Sequence, residues 1–130
     1  MVLTEFVEYR GRRAEIVDLG VVPKVMVVNA PRNVPRVDYE RIFVLSEDYV
    51  LLSEYVLNGD CPLDFRDLRR SIPLEGLKHA TSVFQGEYAF TPFVMDDKKF
   101  VILTRGVPRI EDRGFIGSLL AAARIHFARR

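Results

Sequence analysis

The residues able to do chemistry are few and scattered. Cys61 is the only cysteine, and His79 and His126 are the only histidines. They lie far apart, with no C-x-x-C, H-x-x-x-H or H-E-x-x-H spacing to aim two ligands at one metal. No metal and no cofactor is expected. Cys61 precedes Pro62 in a turn; as a nucleophile it would need His79 folded against it, and a lone cysteine is expected to be inert. Neither G-x-x-x-x-G-K-S/T nor G-x-G-x-x-G occurs, so no loop is built to cradle phosphate. Gly114-Phe115-Ile116-Gly117 opens a helix whose amides, beside Arg109 and Arg113, could hold an anion. Close helix packing on small residues explains the same glycines. Carboxylates pair at Glu47-Asp48, Asp96-Asp97 and Glu111-Asp112. Neighbours on a strand point to opposite faces, so such pairs make poor acid–base partners. Acids also suit turns and helix starts for solvation and dipole reasons alone. No catalytic residue is assigned.

Basic clusters are the most suggestive feature. Of 19 basic residues, 15 are Arg, an excess that the base composition of a genome can also produce. Arg10, Arg12 and Arg13 surround the first turn, next to Tyr9, and Arg32 and Arg36 lie in a proline loop. Arginines beside sheet aromatics hold single-stranded nucleic acid by phosphate contacts and stacking. Tyr9, Arg10, Arg12, Arg13, Arg32 and Arg36 are the candidate set for that reading. Solvated faces and ion pairs explain other clusters. Arg69 and Arg70 follow Asp64 and Asp67 on one helix, and Arg124, Arg129 and Arg130 suit a helix C-terminus.

The chain of 130 residues fits one domain able to bury a core without disulfides. Hydrophobic residues at 48% and charged residues at 28% exclude a disordered chain. The net charge of +1 gives no bulk field toward nucleic acid or membrane. No apolar run approaches the ~18 residues of a membrane helix. Glu5 and Glu8 interrupt the start where a secretory signal would be apolar, so a cytoplasmic protein is expected. Three Asn and one Gln are few thermolabile amides, which fits a thermophile.

The elements follow from residue type. VLTEFVEY and RAEIVDLG flank Gly11 and read as a hairpin; KVMVV at 24–28 reads as a short strand. Pro31 and Pro35 make residues 29–36 a loop. Residues 41–57 favour a second hairpin turning near Glu47-Asp48. A helix from Glu47 to Leu57 is the competing assignment, since Val50, Leu51, Glu54 and Leu57 also fit its period. Residues 63–70 and 74–81 read as helix broken at Pro73, with Asp60 as cap and Pro62 in the first turn. EYAFTPFVM and KFVILT flank Asp96-Asp97-Lys98 as the clearest hairpin, with Phe100 and Ile102 facing opposite to Val101 and Leu103. Pro92 places the first of those strands at an edge or a bulge. A last helix is expected over 113–127.

Strands without βαβ alternation imply an α+β fold: an antiparallel sheet with two main helices packed on it. The whole chain is one domain, with residues 1–36 as an N-terminal hairpin and strand extension and 37–130 as the main unit. From residue 38 the element order resembles the roadblock and longin families of profilin-like domains. YAFTPFVMDDKKFVILTRGVP followed by a helix from Gly114 looks like the end of a roadblock domain. The resemblance implies a profilin-like layering and a dimerising platform on a larger assembly. With no catalytic set in view, the leading expectation is a non-catalytic interaction or regulatory module, acting as a homodimer or as a subunit. Single-stranded nucleic-acid binding is the alternative, and a small-molecule enzyme of unrecognised class comes third. Self-association is expected through the last helix. Phe115, Ile116, Leu119, Leu120 and Ala123 would face the sheet, while Gly117, Ala121 and Ala128 form a second, small-residue side.

Overall fold

A computed structural model describes residues 3–9, 12–29, 38–71, 81–95 and 98–106. Eight strands follow in chain order: β1 (Leu3–Tyr9), β2 (Arg12–Asp18), β3 (Lys24–Asn29), β4 (Asp38–Leu45), β5 (Leu51–Val56), β6 (Val83–Gln85), β7 (Tyr88–Met95) and β8 (Lys98–Arg105). Among the described residues one helix, α1 (Phe65–Ser71), lies between β5 and β6. All eight strands join one sheet in the order β1-β2-β3-β5-β4-β8-β7-β6.

The expected architecture needs correction. Among the described residues the sheet is mixed and carries one short helix; it is not an antiparallel sheet with two main helices. β3 and β5 run parallel, with Lys24 beside Ser53 and Val27 beside Val56. The physical reason is a skipped position. The chain leaves β3, returns as β4 one strand further out, and β5 turns back into the gap between them. Hairpin signals report neighbours in sequence and are blind to such a choice. The profilin-like layering implied by the family resemblance falls with the two-helix sheet. The expected helices at 74–81 and 113–127 lie outside the described residues, apart from Thr81, which is not helical.

The local assignments explain themselves by residue type. Residues 38–56 form the hairpin rather than the competing helix, because β-branched and aromatic side chains suit a buried pleat. β7 and β8 pair from Tyr88–Arg105 to Met95–Lys98. Phe100 and Ile102 enter one core and Val101 and Leu103 the other, so the strand is buried on both faces. Pro92 is tolerated in β7 because β6 pairs only as far as Phe90, leaving no further neighbour on that side among the described strands. The turn from β6 to β7 has Gly86 at φ 62°, as a two-residue hairpin with glycine first requires.

The two faces hold separate cores. The first contains Ala14, Ile16, Met26, Val28, Tyr39, Ile42, Val44, Tyr55, Phe100 and Ile102. The second contains Phe43, Leu45, Phe90, Val101 and Leu103, with Cys61 and Leu68 from the α1 segment. So α1 covers the β4-β8-β7 part of the second face. On the β2-β3-β5 part of that face, Val17, Val25, Val27 and Val56 stay half-buried.

α1 starts at Phe65 with Asp64 as its cap, later than expected and not at Asp60. Asp64 Oδ1 accepts from the amides of Arg66 (2.9 Å) and Asp67 (3.3 Å), while Asp67 Oδ2 accepts from the Asp64 amide (2.8 Å). This reciprocal box saturates amides that a helix start leaves open. Asp60 instead donates its amide to Asn58 Oδ1 at 3.1 Å, closing the preceding turn. Partial burial pushes the Asp64 carboxyl up, but hydrogen bonds from Asp67 and Arg66 together hold it below the ordinary carboxylate range. A lowered carboxyl contributes stability above its unfolded value and loses it as pH falls through the folded one. Asp64→Ala should therefore destabilise by about 1 kcal/mol at neutral pH. Urea unfolding should show that difference shrinking in acid as wild-type Asp64 becomes protonated.

Candidate functional site: the apolar end and the open edge of the sheet

Two turns build one end of the sheet. The parallel register of β3 and β5 sets the turn before β3 beside the turn before β5. In the first, Gly20 N donates to Asp18 Oδ1 at 2.8 Å and Leu19 N donates to Val25 O at 3.0 Å. Asp18 Oδ2 also lies 3.9 Å from Lys24 Nζ. The second turn folds around Ser46. Its Oγ accepts from Asp48 N at 3.2 Å and Val50 N at 3.1 Å, and Ser46 N donates to Val50 O at 2.9 Å. Tyr49 takes a left-handed φ of 64°, uncommon for a bulky residue. Its ring packs on the second core, Lys99 Nζ sits 3.7 Å from the ring centroid, and the ammonium donates to the Tyr49 hydroxyl. Both turns are thus fixed by specific bonds.

What these turns display is apolar. Leu19, Val21, Val22 and Val50 are exposed, Val22 to 90%. They are four of the six exposed large hydrophobics among the described residues, the others being Phe6 and Phe84. Scattered exposed apolar side chains are ordinary; here four of them sit on two adjoining turns. Exposed Glu47 and Asp48 border it.

The second feature is the edge formed by β1, the last described strand on its side of the sheet. Phe6 stands at its midpoint and is 54% exposed. Arg13 from β2 places its guanidinium 4.4 Å from the centre of the Phe6 ring. Glu15 is the register partner of Phe6, so both signs of charge border the ring.

A polar cluster lies at a bulge in β4. The register of β4 against β8 shifts between Tyr39 and Arg41. Tyr39 and Ile42 both belong to the first core, so Glu40 and Arg41 leave that face together. The Glu40 carbonyl accepts from Leu57 N (3.0 Å) and Asn58 N (3.1 Å), anchoring the end of β5. Arg41 Nη1 lies 3.4 Å from Glu54 Oε1, both side chains mostly buried. Burial pushes the Glu54 carboxyl up, against the pull of Arg41. Cys61 adjoins this cluster, and its thiol lies 3.7 Å from Leu63 O. Burial pushes the thiol up and the Glu40 charge adds to the rise, against the opposing pull of Arg41. A raised thiol keeps its proton at neutral pH, which makes Cys61 a poor nucleophile. Among the described residues no group of three His, Cys, Asp or Glu is placed to hold a metal ion.

Of the nucleic-acid candidates, Arg13 is exposed and Tyr9 and Arg12 are register partners at the end of the first hairpin. Arg10, Arg32 and Arg36 lie outside the described residues. So do His79, His126, and the self-association set Gly117, Ala121 and Ala128. On α1, Arg66 pairs with Asp64 at 3.6 Å, while Arg69 lies 6.0 Å from the Phe65 ring centre. Sequence reasoning missed the apolar end. Its signal was Val21-Val22 between Gly20 and Pro23, two apolar residues where a turn ordinarily carries polar ones. Among the described residues no helix is long and apolar enough to cross a membrane. No protein-family model, curated protein or solved structure matches the chain.

Proposed function

We propose that the chain is a non-catalytic interaction module, working as a homodimer or as a subunit of a larger assembly. One observation carries this reading: Leu19, Val21, Val22 and Val50 are gathered on two hydrogen-bonded turns at one end of the sheet. A rigid apolar surface binds at low entropic cost, because little has to be ordered on contact. The titratable cluster at the β4 bulge is ion-paired and mostly buried.

Size-exclusion chromatography with light scattering tests the reading. The chain should run above its own 14.9 kDa, either purified or in lysate of its source organism. Val22→Ser combined with Val50→Ser should weaken assembly through this end at unchanged melting temperature, since both side chains face solvent. A chain that runs at its own mass in both settings refutes the module.

Single-stranded nucleic-acid binding draws on one observation, the stacking of Arg13 on exposed Phe6. Glu15 in register with Phe6 opposes phosphate there, which ranks this reading second. Oligonucleotide affinity that falls with salt, by a log–log slope of about 0.7 per phosphate contact, would reverse that order.

A further inference from the structure

We propose that two copies of the chain join β1 to β1 in antiparallel pairing, extending the sheet across a two-fold axis at Phe6. The inference goes beyond the assembly reading by naming the partner, a second copy, and the register.

The two edges of the sheet are treated differently. β6 is three residues long, and Pro92 interrupts the donors of β7 where β6 has ended. Short strands and prolines are how natural sheets blunt an edge. β1 has seven residues, LTEFVEY, with no proline and no lysine. It pairs with β2 along its full length, and no described strand takes its other side. Its outward backbone groups form a template for another strand.

A second copy fits that template in one register better than in its neighbours. Centring on Phe6 pairs all seven positions: Leu3 with Tyr9, Thr4 with Glu8, Glu5 with Val7, and Phe6 with itself. The glutamates then never stand directly opposite one another. Registers centred on Glu5 or Glu8 set like charges face to face, and one centred on Val7 pairs only five of the seven positions. The centred register also brings the exposed Phe6 beside its symmetry mate, an aromatic cross-strand pair. Arg13 over each ring and Glu15 in register beside it put opposite charges on both sides of the axis. A two-fold axis makes such a contact self-complementary and closed. One strand pair of this length falls below about 1,200 Å² of buried surface, in the range of weak and transient contacts.

Cysteine cross-linking reads the register directly. In a Cys61→Ser background, Thr4→Cys and Glu8→Cys chains are oxidised separately and as an equal mixture. Directly opposed positions have Cα atoms about 4.5–5.5 Å apart, within disulfide reach. Thr4 and its own symmetry mate would lie about 14 Å apart, out of reach. The mixture should cross-link at least tenfold more than either chain alone. Equal cross-linking of Thr4→Cys alone, or none in the mixture, overturns the proposal. Sedimentation of the wild type between about 1 and 500 µM should show mass rising toward two chains, as expected for a contact of this size. A wild type that stays monomeric throughout overturns the pairing. If that monomer nevertheless runs heavy in lysate, the module reading stands; if it runs at its own mass there too, both fall.

Discussion

Replacing Phe43 with alanine should lower the unfolding free energy by about 4 kcal/mol, the largest effect of any substitution considered for this chain. Phe43 is fully buried at the centre of the second core, flanked in the sheet by Glu54 on one side and Val101 on the other. Its ring lies 5.8 Å from that of Phe65, tilted by 47°, so it joins α1 to the sheet. Alanine removes the transfer energy of the ring and leaves a cavity that a pleated strand cannot collapse into. The melting temperature should fall by about 15 °C. Phe43→Leu, which keeps most of the volume, should recover more than half of the loss. A loss below about 1 kcal/mol would mean that α1 does not pack here.

Glu54→Ala should cost about 3 kcal/mol, because it strands the Arg41 guanidinium in a mostly buried place. Among the described residues the Nε of Arg41 has no hydrogen-bond partner, and the ion pair to Glu54 compensates its charge. Changing both together, Arg41→Met with Glu54→Leu, should recover most of the loss, since the pair itself is close to neutral against an apolar replacement. Titration adds an independent check. Burial raises the Glu54 carboxyl although Arg41 pulls it down. A raised carboxyl binds its proton more readily folded than unfolded. Its penalty is absent below the unfolded value and complete above the folded one, so this group makes stability fall as pH rises through that window. Urea midpoints from pH 4 upward, compared with Glu54→Gln, should isolate that slope. An identical pH dependence in the two proteins would show that Glu54 is not held in this environment.

Legibility varied with the distance over which a decision is made. The β7–β8 hairpin could be read from period-two texture, down to which face each of Phe100, Val101, Ile102 and Leu103 takes. The β1–β2 and β4–β5 hairpins were legible from β-branched content and turn residues for the same reason. The α1 cap was misplaced by four residues because Asp60 and Asp64 offer the same chemistry. Only Asp64 has a carboxylate three positions on to close the box.

Residue types along the chain mark seven of the eight described strands and miss β6, whose three residues are too few to show a period; they also show that Cys61 has no adjacent partner and that no familiar catalytic spacing is present. These are properties of neighbours along the chain, set by sterics and local hydrogen bonds. The tertiary structure alone decided that β3 lies parallel to β5. Parallel pairing depends on which sheet position the returning chain skips, and that is decided by contacts between residues far apart in sequence. That one choice sets the turn of Leu19, Val21 and Val22 beside the turn of Val50, while β1 ends the described sheet whichever strand β3 pairs with.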